Sequence, residues 1–103
     1  MSNINGIWDC IVHAPVGKEP HELTLQCSPE GALTGDMKNL KNGAVMALSN
    51  GKVEGSKLTW TMKLVTPFKV TLNVELEVSG NELKGYGSTT LLGKAAITGT
   101  KRT

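Results

Sequence analysis

Aromatic side chains are scarce in this chain: its 103 residues hold two Trp, one Tyr and one Phe. Basic residues are scattered singly, Lys101-Arg102 being the only adjacent pair, and the net charge is +2. A nucleic-acid interface needs a concentrated basic face with rings for stacking, so no nucleic-acid partner is expected. No apolar run approaches the roughly 20 residues of a membrane span, and no membrane partner is expected either. The opening Met1-Ser2-Asn3-Ile4-Asn5 has no basic segment followed by an apolar stretch, which argues against a secretory signal and makes a cytoplasmic location the expectation. The two cysteines, Cys10 and Cys27, are then expected to be reduced. No CxxC or Cys/His cluster marks a metal site, and Gly85-Tyr86-Gly87 lacks the following helix that would make it a phosphate loop. No cofactor is expected.

What is present is glycine, twelve of them, with many Val, Leu and Thr: the composition of short strands joined by tight turns. Hydrophobic content of 39% with 19% charged residues is globular rather than disordered, and the length suits one domain.

The chain reads as two copies of one unit, approximately 6-55 and 56-103. Trp8 matches Trp60, Cys10 matches Met62, Val12 matches Leu64 and Pro15 matches Pro67, all at one spacing. The spacing drops by one residue after the next turn, pairing Leu23 with Val74 and Leu25 with Leu76. It drops once more for Leu33 with Leu83, Gly35 with Gly85 and Gly43 with Gly93. Single-residue drops at turns are what loop shortening produces.

Within each copy the apolar pattern has period two, and no segment holds a helical period. Val70, Leu72, Val74, Leu76 and Val78 alternate with polar residues, the clearest half-buried strand in the chain. Turn signals divide the sequence into about eight strands: 6-14, 20-28, 32-38, 44-49, 57-66, 70-79, 82-88 and 94-102, with 52-55 extending the fourth or starting the fifth. Asn42-Gly43 and Asn50-Gly51 carry the dipeptide preferred in hairpins. A first turn centred on Gly17-Lys18 would set Trp8 against Cys27 and Cys10 against Leu25; the second copy would set Trp60 against Val78. These registers place apolar on apolar and leave the two cysteines diagonal, unsuited to a disulfide.

An eight-strand meander with one apolar face removes its unpaired edges by closing into an up-and-down barrel, whose interior either fills with side chains or holds one small ligand. Gly6-Ile7-Trp8 at the first strand resembles the G-x-W signature of the lipocalin (calycin) group. Those barrels carry a cation at the end of the last strand packed across the Trp. Lys101-Arg102 stands there, Arg102 being the better candidate for its planar head. The chain is too short for that family's C-terminal helix and is more similar to the compact lipocalin-like modules of bacteria. The resemblance implies a barrel with an interior site.

Three readings of function follow. The first is binding of a small hydrophobic or aromatic molecule in the interior. Trp60, Met62, Leu64 and Met37 would form its walls, Gly85 and Gly87 would give space or a bend, and His21, Thr66 and Thr89 would be polar anchors. The alternative is a cofactor-free enzyme (isomerase, hydratase/lyase or cyclase) on an apolar substrate in the same cavity. His21 would be its acid or base, with Tyr86 and Asp9 as distant seconds. His21 is equally readable as a rim histidine held by water, Asp9 as solvated surface, and Trp60 as core. Cys10, amid apolar neighbours, reads as an inert core thiol. The third reading is assembly: Ile7, Ile11 and Val65 point outward and would suit a homodimer face.

Overall fold

A computed structural model describes residues 4–14, 17–64, 70–89 and 93–102. Every regular element among them is a strand: β1 (Gly6–Ala14), β2 (Gly17–Cys27), β3 (Ala32–Asn39), β4 (Val45–Ala47), β5 (Ser49–Glu54), β6 (Lys57–Leu64), β7 (Val70–Ser79), β8 (Glu82–Thr89) and β9 (Gly93–Lys101). Apart from β4 and β5, which both pair with β3, consecutive strands pair antiparallel, and β9 returns to pair with β1. β4 and β5 share one place in the ring. β3 pairs with β4 through Met37↔Met46 and with β5 through Leu33↔Gly51. The chain is therefore an all-β, closed, eight-strand antiparallel barrel with sequential strand order.

The break between β4 and β5 falls just after Leu48, whose amide donates to the Gly35 carbonyl (3.0 Å) in the β3–β4 register; β5 then pairs with β3 one residue out of step. Two residues on, Asn50 has a φ of 55° where the β5–β6 register shifts between Ser49 and Lys52. The Asn50-Gly51 signal thus builds a bulge inside a strand, not a hairpin turn, using the same tolerance of Asn for the left-handed region.

Period-two patterning decides the faces. Trp8, Leu23, Leu25, Leu33, Leu58, Trp60, Met62, Leu76 and Leu83 are buried inside the barrel, each at 2% exposure or less. Their neighbours in sequence face outward. The start of β1, the end of β9 and the 28–31, 55–56 and 80–81 turns sit at one end. There Trp8 closes the interior above Ile4, and its Nε1–H donates to the Ile4 carbonyl at 3.0 Å. Full burial of such side chains contributes about 1.5–3 kcal/mol each, which is the main force holding the barrel shut.

The registers differ from the expected ones by four residues in both halves. Ala14 pairs with Gly17, and Trp8 faces Leu23 rather than Cys27. Likewise Trp60 faces Val74 rather than Val78. An even shift keeps every side chain on its face, so hydrophobic patterning cannot detect it. β2 starts at Gly17 rather than at residue 20 and so runs through Pro20. Its carbonyl accepts from the Leu40 amide (3.0 Å), on the β3 side and beyond the last β3 pair, so the missing N–H costs the β1–β2 ladder nothing.

The cation over Trp8 is Lys101, its Nζ 6.0 Å from the ring centroid, and not Arg102. Trp8 and Lys101 are direct cross-strand partners and share a face, so Arg102 projects the other way. On the outer wall its guanidinium bonds Asp9 and, at 3.0 Å, Glu22.

Candidate functional site

The end of the barrel opposite Trp8 has the softer and more polar interior. Met37 from β3 and Met62 from β6 are buried there, and Met46 from β4 packs against them half-buried. Thioethers on flexible stems fill irregular space and adapt to irregular guests. Among these apolar groups stand the two buried polar side chains of the described core, His21 (5% exposed) and Thr89 (8%).

β2 carries His21 inward between Cys10 of β1 and Asn39 of β3. Neither ring nitrogen has a hydrogen-bond partner. Glu19, two residues earlier on the same face, sets its Oε1 3.7 Å from Nε2. Burial lowers the His21 pKa from its ordinary value, and the Glu19 charge opposes that only in part. The imidazole is therefore neutral at pH 7, with one nitrogen to donate and one to accept.

This gives a pH prediction. The depressed native pKa stabilises the fold fully above the unfolded value of 6.5. That stability is lost as pH falls through the native value, because the unfolded imidazole takes up a proton the native one refuses. Urea unfolding at about pH 7.5 and about pH 5 should show wild type losing more stability on acidification than His21→Leu. Equal losses would refute the assignment.

Trp60 supplies the second unsatisfied group. Its ring is 2% exposed, yet Nε1–H has no acceptor. The sequence marked Trp60 as wall or core, but an indole N–H without an acceptor leaves no trace in the sequence.

The other expected residues separate. Asp9 and Tyr86 lie on the outer wall, so neither meets His21 and no catalytic trio assembles. Asp9 binds Arg102, whose hydrogen bonds hold its carboxyl below the usual range. The Tyr86 hydroxyl donates to Glu75 Oε2 (3.1 Å), Lys57 pairs with Glu75 Oε1 (2.5 Å), and Lys94 Nζ sits 4.5 Å from the Tyr86 ring centroid. A shallow open groove of about 320 Å³ runs over this outer face past Asn73, Glu75 and Tyr86.

Gly85 is a bend: a Cβ there would stand 2.0 Å from the Glu75 carbonyl oxygen, so it frees no interior space. Gly87 is buried, with Leu72 and Ile97 at ordinary contact distance from where a Cβ would sit. Leu64 ends β6 beside Val70 at the softer end, while Thr66 and Val65 lie outside the described residues. Cys10 faces His21 across the ladder, a pairing the expected register concealed. Burial, with the Asp9 charge second, pushes its thiol up to about 12, which rules it out as a nucleophile near neutral pH. Both cysteines are free. Among the described residues no group of three or more His, Cys, Asp or Glu could hold a metal ion.

The class defined by this geometry is the closed antiparallel β-barrel with an apolar interior. A solved structure of a redesigned β-barrel has the same fold, with a TM-score of 0.77 at 12% identity over 97% of this chain and 92% of that one. The chain matches no protein-family model and no curated protein sequence.

Proposed function

We propose that the barrel binds a small hydrophobic or aromatic molecule inside its softer end, in the manner of a lipocalin-like module. One observation carries this reading: a neutral histidine, buried in a Met-lined apolar interior, has no hydrogen-bond partner for either nitrogen, Glu19 Oε1 standing 3.7 Å from Nε2. A buried polar group left unpaired costs about 1–3 kcal/mol, a cost a bound molecule would remove. The Gly6-Ile7-Trp8 start and the Lys101 ammonium over Trp8 support the lipocalin-like comparison. We also infer descent from two copies of one unit. In support, Gly35 and Gly85 each press on the backbone of the preceding strand, and Trp8 and Trp60 take like places on β1 and β6.

Titration of intrinsic Trp fluorescence with aliphatic and aromatic hydrophobes tests the proposal. Saturable quenching or enhancement that Met62→Lys abolishes while the fold persists is the expected result; no response from any compound would end the reading. The His21–Glu19 pair favours a second reading, cofactor-free acid–base chemistry on an apolar substrate, because a carboxylate beside a neutral imidazole orients it as a base. Turnover that disappears in His21→Ala while binding persists would separate the two.

A further inference from the structure

The two tryptophans hold like places, but only one is satisfied. Trp8 gives its indole proton to the Ile4 carbonyl at 3.0 Å; Trp60, equally buried, gives its proton to nothing. Identical chemistry in matched settings makes Trp8 the internal control. The fold knows how to satisfy a buried indole, and at Trp60 it does not. On β2, three strands around the ring from β6, His21 also projects inward without a hydrogen-bond partner. The polarity that each unpaired nitrogen requires can be read. An indole nitrogen only donates, so Trp60 requires an acceptor. At His21, Glu19 Oε1 lies 3.7 Å from Nε2 and draws the ring proton to that nitrogen, leaving Nδ1 a lone pair that requires a donor.

Building on the binding reading above, we infer that the ligand is an apolar molecule bearing a hydroxyl group, of the phenol class, whose oxygen accepts from Trp60 Nε1–H and whose proton goes to His21 Nδ1. A carboxylate would answer Trp60 but would offer His21 no proton. A plain hydrocarbon would leave both groups orphaned. Specificity in such a site comes less from attraction than from the cost of leaving the buried nitrogens unpaired when the wrong molecule enters.

Three probes of one shape test this: naphthalene, 2-methoxynaphthalene, which only accepts, and 2-naphthol, which accepts and donates. Binding is followed by the two indole N–H resonances in proton–nitrogen correlation spectra, Trp60→Phe identifying which is which. Affinity should rise roughly three- to tenfold at each step along the series, the amount one buried hydrogen bond contributes. The Trp60 resonance should move with the two oxygen-bearing probes, while that of Trp8 stays. Trp60→Phe should erase the gain from naphthalene to methoxynaphthalene, and His21→Leu the gain from methoxynaphthalene to naphthol. Equal affinity for all three probes, with the Trp60 signal unmoved, would overturn the inference and leave apolar binding standing. No binding by any probe would overturn both. The wild-type series decides the matter even where a variant fails to fold.

Discussion

Replacing Trp8 by alanine is expected to lower the urea midpoint far below that of the wild-type protein. The side chain is fully buried and closes the end of the barrel at which β1 starts and β9 ends. Removing it opens a cavity that eight hydrogen-bonded strands cannot collapse to fill, a loss of about 3–5 kcal/mol for an aromatic. It also strands the Ile4 carbonyl and strips Lys101 of the ring beneath it. A domain of this size has only about 5–15 kcal/mol in total, so the loss is a large share of it. The conservative pair Trp8→Phe and Trp60→Phe separates packing from hydrogen bonding. Both lose the same volume, but only Trp8→Phe leaves a buried acceptor without its donor. It should be the less stable of the two by about 1 kcal/mol. Urea denaturation followed by far-UV circular dichroism measures all three. A Trp8→Ala protein with a wild-type midpoint would mean the barrel is not closed by this residue.

The contrast between the tryptophans also shows which parts of the molecule a sequence reader can reach. Faces were legible, because burial repeats with the pleat: each residue of the Val70–Val78 alternation whose side chain is described turns inward. Closure was legible from the strand count and the need to hide edges. Register was not, because a four-residue slide leaves every apolar contact in kind, and only the turn residues distinguish the alternatives. That error hid the place of His21 beside Cys10. The choice of Arg102 over Lys101 had another origin, the planar head, whereas strand parity alone puts Lys101 on the Trp8 face. His21 was found because a polar residue on an inward position breaks the pattern. The unpaired Trp60 nitrogen could not be found, since a missing partner is a property of three-dimensional surroundings.

The second large effect concerns a residue with no side chain. Gly35 pairs with Leu25 where β2 and β3 bend, with a φ of 144°. A Cβ built there would stand 1.9 Å from the Thr24 carbonyl oxygen, backbone that no side-chain rearrangement can move aside. The Gly35 carbonyl also accepts from Leu48 N, so the same residue holds the corner at which β4 gives way to β5. Gly35→Ala must push the two strands apart and adopt a positive φ, and should cost about 2–4 kcal/mol, an overpacking term plus a left-handed term. Gly85→Ala meets the Glu75 oxygen at 2.0 Å but without the positive φ, and should lose less. Gly80→Ala, at a φ of 60° with nothing within 4 Å, carries the conformational cost alone, about 1 kcal/mol. The order of unfolding midpoints should therefore run Gly80→Ala, Gly85→Ala, Gly35→Ala, from most to least stable. If Gly80→Ala proved the worst, turn strain rather than close strand approach would govern the barrel's curvature. If the order holds, the barrel closes because glycine lets β2 and β3, and again β7 and β8, approach more closely than any side chain permits.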